Sequence, residues 1–294
     1  MHKSTGYAII YVVRRNAVLW ADKRYHSLDY EMKARYGHKI YKIALDGGFT
    51  CPNRDGSKGT GGCTFCSDSG SGEFASTIDS QIALLSAKWP KAKYLAYFQN
   101  HTNTYAPAEE LRGKYFKALS DPVIEGLVIG TRPDCLSREV LDLLSEINRD
   151  HFLWVELGLQ TIHEQTAEAI NRCYDLSVYD EAVKELSARG IRYVVHLILG
   201  LPGESDDMML DSVRYVSASP GIFGIKLHLL NIVKGSSMEK THGDYVPFDS
   251  IDSYVDLAVR CLEIIPPEIT IHRLTGDAPR HRRPGEEESG RLPA

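Results

Sequence analysis

Three cysteines in one short segment are the residues of this sequence that are best suited to chemistry. Cys51, Cys63 and Cys66 are separated by eleven and by two residues, and thiolates bind zinc and iron–sulfur clusters. Four glycines lie between the first two cysteines. Because glycine loses much backbone entropy in a helix or strand, this segment is predicted to be a loop. Three ligands leave a fourth coordination position open, which is typical of a catalytic centre.

A zinc site is the alternative that the spacing of these cysteines leaves open. His38 or His101 would supply the fourth ligand, and the protein would then be a binding or structural protein rather than an enzyme. The other cysteines, Cys135, Cys173 and Cys261, are isolated in the sequence and are expected to be small buried side chains. Clustered thiols without a secretion signal indicate reduced cysteines rather than disulfides.

Composition and charge narrow the class of protein. With 43% hydrophobic and 25% charged residues, the chain is typical of a globular protein. No apolar run approaches the roughly 18 residues of a membrane-spanning helix, so we expect a cytoplasmic protein with no membrane contact. Residues 1–45 carry nine Lys and Arg against three Asp and Glu, although the whole chain has a net charge of −5. This basic arm predicts either a surface that faces RNA or a solvated helix face.

Six β-like runs alternate with amphipathic segments along the chain. The runs cover residues 39–45, 94–99, 126–130, 152–159, 192–199 and 222–233. Such alternation predicts βαβ units, a parallel sheet and an α/β barrel. The carboxyl ends of the strands gather at one edge, which carries the active site in barrels of this type. Because the cysteine loop follows the first run, we expect it at that edge.

The predicted organisation has four parts. Residues 1–38 form a basic N-terminal extension, and residues 39–234 form the barrel core. Residues 235–276 form a C-terminal extension that begins with a loop over 235–246 and continues with a helix and one more strand. Residues 277–294 are charged, rich in Pro and Gly and without apolar periodicity, so this tail is predicted to be disordered.

Polar side chains stand near the ends of the predicted strands, where a purely structural barrel would not need them. The six candidates are Gln99, Thr131, Arg132, Glu156, Gln160 and His196. Glu156 and Gln160 share one face of their strand because side chains alternate between faces with a period of two. The sequence therefore predicts that these side chains meet the cysteine loop at one edge of the sheet.

Five phrases of the sequence, in this order, resemble the radical S-adenosylmethionine (SAM) superfamily. In one-letter code they read LDGGFTCPNRDG, GGCTFC, TRPD, ELGLQT and HLILGLPGE. The resemblance covers residues 20–280, and it is nearest to a bacterial subgroup that is similar to the radical domain of the elongator catalytic subunit. Members of the superfamily often carry a Gly-Gly-Glu-type motif after the second strand, whereas this chain has Gln99-Asn100 there.

The resemblance implies a fold, cofactors and a reaction. It implies a partial (βα)6 TIM-type barrel with a [4Fe–4S] cluster on Cys51, Cys63 and Cys66. The cluster, reduced by a single-electron donor of the flavodoxin or ferredoxin type, cleaves SAM to a 5′-deoxyadenosyl radical that abstracts hydrogen from the substrate. The six polar residues at the strand ends become candidate contacts of SAM or substrate.

The substrate is a separate question. The likeness to the elongator radical domain, together with the basic arm, favours modification of a wobble uridine in tRNA. The alternative enzyme is one that modifies a small metabolite or a protein side chain. The alternative without catalysis is a zinc-binding barrel that binds a partner.

Overall fold

The computed structural model describes residues 20–68, 70, 75–86 and 92–276. The disordered tail predicted over residues 277–294 lies outside the described residues, and so do residues 1–19 of the predicted N-terminal extension. Within the described part of the chain, no helix is both long enough and apolar enough to cross a membrane.

Seven parallel strands form one curled sheet, a half-barrel in which the spatial order of the strands follows the sequence. The strands are β1 (Ile40–Leu45), β2 (Lys93–Phe98), β3 (Ile124–Thr131), β4 (Phe152–Gln160), β5 (Arg192–Leu199), β6 (Gly224–Leu229) and β7 (Thr270–Arg273). The predicted α/β partial barrel of TIM type is confirmed. β7 comes from the stretch predicted as a C-terminal extension, and it pairs with β6 in the same sheet.

Helices connect the strands, and most of them cover the outer face of the sheet. They are α1 (Leu28–Tyr36), α2 (Ile78–Ser86), α3 (Ala108–Leu119), α4 (Arg138–Asp150), α5 (Glu164–Ala169), α6 (Leu176–Ala188), α7 (Asp206–Ser217), α8 (Ser237–His242) and α9 (Ile251–Ile264). On β5, Tyr193, Val195 and Leu197 point outward and share the main core with Leu186 of α6 and Val213 of α7. The residues between them point into the barrel, as the period of two requires.

The short helix α8 lies in the stretch predicted as a loop over 235–246. The Ser236 hydroxyl caps it by accepting a hydrogen bond from the backbone N–H of Glu239 at 3.2 Å. The Glu239 carboxylate in turn accepts from the N–H of Gly235 at 2.7 Å. Met238 is buried against Leu230. The loop prediction was wrong here because six residues are too few to show a helical period.

The inside of the barrel is apolar and closed at the amino ends of the strands. Met32 of α1 packs there against Ile40, Val128, Trp154 and Val194, and all five side chains are buried. We call this cluster the apolar plug. Two residues further along the same strands, the interior becomes polar and opens into a cavity.

Candidate active site

One cavity of about 530 Å³ occupies the barrel interior at the carboxyl ends of the strands. The structure brings all nine residues singled out in the sequence to its lining: Cys51, Cys63, Cys66, Gln99, Thr131, Arg132, Glu156, Gln160 and His196. A volume in this range suits a small molecule or a cofactor. That these residues bind a cluster, SAM or substrate stays a prediction.

The cysteine loop is held by a buried amide, Asn53. Its Nδ2 donates to the carbonyl of Asn171 at 2.5 Å and lies 3.6 Å from the Cys63 Sγ. The backbone N–H of Gly62 donates to the Asn53 carbonyl at 2.8 Å. A Cβ on Gly59 would stand 2.2 Å from Asn53 Oδ1, so this position requires glycine. The glycines of the loop therefore let it fold tightly around one amide.

The thiols of Cys63 and Cys66 stand in one tight turn. The Cys66 N–H donates to the Cys63 carbonyl at 3.0 Å, and the hydrogen bond with the Cys66 thiol, together with burial, raises the pKa of the Cys63 thiol. Cys51 opens the same loop and lines the same cavity. Three soft thiolate donors around one cavity fit a [4Fe–4S] cluster, in which three of the four irons would each take one thiolate.

The residues proposed for a zinc alternative lie in different places. His38 precedes β1 and the cysteine loop follows it, so His38 stands at the opposite end of the sheet. His101 lines the cavity, and its Nδ1 is buried without a hydrogen-bond partner. Among the described residues, no three Cys, His, Asp or Glu side chains are grouped closely enough to hold a single metal ion. Cys173, expected in the core, lies beside the loop instead, 2.8 Å from where a Cβ on Gly59 would stand.

Arg132 ties the end of β3 to the cysteine loop. Its guanidinium donates two hydrogen bonds of 2.9 Å to Asp134, and Nη2 also reaches the carbonyl of Arg172 at 2.9 Å. The second partner of Asp134 is Lys58 of the loop, at 3.2 Å. Burial raises the pKa of Asp134, but Arg132 and Lys58 outweigh it and hold that pKa below its usual value. Thr131 is fixed nearby by a 2.6 Å hydrogen bond between its hydroxyl and that of Thr104.

Gln160 adopts a backbone conformation that is rare for a residue with a side chain. Its φ is +68°, and the pairing of β4 with β5 shifts register between Gly158 and Gln160. A Cβ on Gly158 would stand 2.7 Å from the Gln160 amide, so the glycine makes room for this side chain. Such strained residues occur at functional sites, where the surrounding structure holds them in place.

The inner end of the cavity is built around Glu156, with Lys42, His196 and Lys226 in contact with its carboxylate. We call this end of the cavity the floor. The Glu156 side chain is 0% exposed. Its carboxylate accepts from Lys226 Nζ, from His196 Nε2 at 2.9 Å, from Trp154 Nε1 at 3.0 Å and from Lys42 Nζ at 3.4 Å. Burial by itself raises the pKa of Glu156. The charges of Lys226 and Lys42 and the hydrogen bond from His196 lower that pKa by more than burial raises it, so it lies well below its usual value and the carboxylate is ionised.

Four cavity residues that sequence reasoning missed are Lys42, Lys226, His228 and Arg273. A signal existed on β6, because Gly224, Lys226 and His228 alternate with the buried residues Ile225 and Leu227. Burial lowers the pKa of Lys226 to about 7, although Glu156 opposes the shift. Burial also lowers the pKa of His228 well below its usual value.

Comparisons with known proteins support the predicted resemblance. The model of the radical SAM superfamily matches residues 55–216, and the model of the Radical_SAM C-terminal domain matches residues 222–288. The protein YtqA of Bacillus subtilis (strain 168) is 48% identical over 267 residues, which cover 88% of this chain and 83% of YtqA. The tRNA uridine(34) acetyltransferase of Dehalococcoides mccartyi (strain CBDB1) is 28% identical, over 52% of this chain and 34% of that protein.

A solved structure shows the same fold. The archaeal Methanocaldococcus infernus Elp3 with an N-terminal deletion aligns with a TM-score of 0.59 and 17% identity, over 82% of this chain and 57% of that chain. The resemblance inferred from the five phrases is confirmed by these matches. The chain belongs to the radical SAM superfamily, whose enzymes use a [4Fe–4S] cluster and SAM.

Proposed function

We propose that Cys51, Cys63 and Cys66 hold the [4Fe–4S] cluster of this radical SAM enzyme, and that it modifies a wobble uridine of tRNA. One observation carries the assignment of the site. The three thiols and the six polar strand-end residues line the same cavity, with the thiols on the loop after β1 and Glu156 on the floor. A substrate in the cavity would therefore lie between the cysteine loop and the floor.

The chain's own residues position and shield the reaction. When bound, the cluster supplies one electron for the cleavage of SAM, and SAM supplies the radical that abstracts hydrogen. The charge of Arg132 lowers the pKa of Cys63 and so opposes the effects of burial on that thiol. Ile198 and Leu230 line the cavity with apolar side chains that exclude water from a reactive intermediate. We propose that a flavodoxin or ferredoxin type donor delivers the electron at the cysteine loop.

The uridine assignment has support from a relative and from the cavity lining. The Dehalococcoides mccartyi relative carries the name tRNA uridine(34) acetyltransferase. Arg54 of the cysteine loop lines the cavity, where a cation can meet an RNA phosphate. Within the described part of the basic arm, Lys33 pairs with Asp29 at 2.8 Å and α1 closes the opposite end of the barrel, whereas Lys42 lines the cavity.

Iron analysis tests the cluster assignment. After anaerobic reconstitution, the wild-type protein should hold about four iron and four sulfide per chain and release 5′-deoxyadenosine with SAM and dithionite. Cys63→Ala should lose both. Cys261→Ala, a buried thiol of α9 outside the cavity, should keep both. Stoichiometric zinc in place of iron, without SAM cleavage after reconstitution, would favour the zinc-binding barrel.

Nucleoside profiling tests the substrate. Transfer RNA from a strain that lacks this protein should lose one modified wobble uridine, and the wild-type protein should restore it. An unchanged profile would remove tRNA and leave the small metabolite or protein side chain. Filter binding of tRNA should also weaken steeply with salt because phosphate contacts release counterions.

A further inference from the structure

The cavity lining has a marked excess of positive charge. Five cationic side chains line it: Lys42, Arg54, Arg132, Lys226 and Arg273. Within the described part of the chain, Glu156 is the one carboxylate of that lining. SAM carries one carboxylate against an ammonium and a sulfonium, so its binding adds net positive charge, and the thiolates of the cysteine loop lie at the other end of the cavity from the floor.

Two of the cations have acidic partners on the wall of the cavity. Arg132 pairs with Asp134 at 2.9 Å, and Arg54 approaches Asp68 at 3.8 Å. At the floor, the single carboxylate of Glu156 serves both Lys42 and Lys226.

Glu156 is shared by two lysines. Lys226 contacts its Oε2 atom and Lys42 lies 3.4 Å from its Oε1 atom, so one negative charge faces two positive ones when both lysines are protonated. His196 adds no further positive charge, because burial lowers its pKa to about 4 and leaves it neutral. Burial lowers the pKa of Lys226 to about 7 although Glu156 opposes the shift, so near neutral pH a second negative charge beside this lysine would favour its protonated form.

Unused hydrogen-bonding capacity accompanies the excess charge. The Lys42 side chain is 25% exposed, and an ammonium group has three donors, of which one is directed at Glu156. The Nε2 atom of His228 is buried without a hydrogen-bond partner on a residue that lines the cavity. Buried polar atoms normally have partners, so an unmatched one beside a cationic pair points to a ligand that supplies acceptors.

We propose that Lys42 and Lys226, with His228 beside them, form a subsite at the barrel floor that binds an oxyanion of the substrate, a carboxylate or a phosphate. Glu156 holds the two lysines in place and leaves donors directed at the cavity. This proposal rests on the proposed function, because the subsite lies in the cavity in which the substrate would react. A substrate anchored there would present its other end toward the cysteine loop.

Calorimetric titration with simple anions tests the subsite without any turnover. The reconstituted protein, unreduced and saturated with S-adenosylhomocysteine, is titrated with inorganic phosphate and with acetate. The wild-type protein should bind at least one of them, and Lys42→Met should weaken that binding about tenfold or more, because a hydrogen bond to a charged group is lost. Lys93→Met is the matched control, since Lys93 also lies on a strand and pairs with a carboxylate, Glu125, at 3.2 Å, but does not line the cavity.

Nucleotide probes distinguish the source of the oxyanion. Tighter binding of uridine 5′-monophosphate than of uridine supports a nucleotide phosphate, and preference for acetate over phosphate supports a carboxylate substrate. The subsite is refuted if the wild-type protein binds neither anion, or if Lys42→Met and Lys93→Met bind alike. The titrations are repeated without S-adenosylhomocysteine. Anion binding that is seen only in its absence would also refute the subsite, because the anion would then occupy the position of the cofactor. Iron content and SAM cleavage are measured on the same preparations. Loss of these two would show that the proposed function fails, whereas loss of anion binding alone would show that the subsite fails.

Discussion

The two ends of the barrel interior are built from the same strands but have opposite chemistry. At the amino end, Ile40 and Val194 belong to the apolar plug under α1. Two residues further along the same strands, Lys42 and His196 line the polar cavity. A step of two residues keeps the side chain on the inner face of the sheet. One row of inward positions therefore closes the barrel, and the next row carries its ionisable groups.

The difference between the rows separates stability from function. The plug consists of buried side chains without charges, whose burial favours the folded state in proportion to the apolar area removed from water. The floor buries a carboxylate and two lysines, which cost desolvation energy and must be paired. Apart from Trp154, whose Nε1 donates to Glu156, we therefore expect changes in the plug to alter stability alone. Changes at the floor should alter stability, pH dependence and binding together.

The largest expected effect is at the floor. Glu156→Ala leaves Lys226 buried without its carboxylate, and loss of one partner of a buried pair costs about 3–5 kcal/mol of unfolding free energy. Urea denaturation measures this. The control is Glu146→Ala, which removes an ion pair with Arg112 on the outer surface and should cost far less, because exposed ion pairs contribute little to stability. Equal losses in the two variants would mean that the floor pair is no more buried than a surface pair.

The plug should respond through packing alone. Met32 is 2% exposed, and its replacement by alanine leaves a cavity that costs about 2–5 kcal/mol. We expect the lower part of this range because α1 lies across the end of the barrel and can shift toward the space. Met32→Ala should keep the iron content and the SAM cleavage per folded molecule of the wild-type protein. If Met32→Ala lost SAM cleavage under conditions in which all of the protein is folded, the idea that the plug affects stability but not function would be wrong.

The pH dependence of stability distinguishes the rows further. Burial lowers the pKa of Lys226 from 10.5 to about 7, so between these values the unfolded chain binds one proton more than the folded chain. Unfolding free energy contributed by this group therefore rises with pH, by up to about 1.4 kcal/mol per unit. Other strands direct charged and titratable groups at Lys226 and influence its pKa. These groups are Lys42, Tyr97, Glu156, His196 and Arg273.

Lys226→Met isolates this contribution. Urea denaturation across the range from neutral to alkaline pH should show a rise in stability for the wild-type protein relative to Lys226→Met. Lys93→Met should follow the wild-type curve. Parallel curves for wild type and Lys226→Met would mean that the lysine keeps its proton throughout.

The repeating features of the fold could be predicted from the sequence, and the single features could not. The seven strands follow from periodicity and composition, six in the predicted core and the seventh in the predicted C-terminal extension, because many residues contribute to each signal. Lys42 and Lys226 were missed since each is one charge inside an apolar run, and only the closed sheet places both beside Glu156.

The cysteine loop shows the same limit. Its spacing identified the three thiols, but the fit of Asn53 depends on Asn171, which lies 118 residues further along the chain. No local pattern reports such a contact. The short helix α8 was missed for a related reason, because its position is fixed by tertiary contacts more than by its own six residues.

The smallest expected effect compares one kind of change at both ends of the barrel. Ser27 caps α1 at the plug, and Ser236 caps α8 beside the cavity; each hydroxyl accepts a backbone N–H, at 3.3 and 3.2 Å. Replacement of either serine by alanine should cost about 1 kcal/mol. However, the Met238 N–H of α8 donates to the Thr64 carbonyl at 2.8 Å, and Thr64 lies between Cys63 and Cys66. Ser236→Ala should therefore release iron to a chelator faster than Ser27→Ala at equal loss of stability, and equal release rates would show that α8 does not support the cysteine loop.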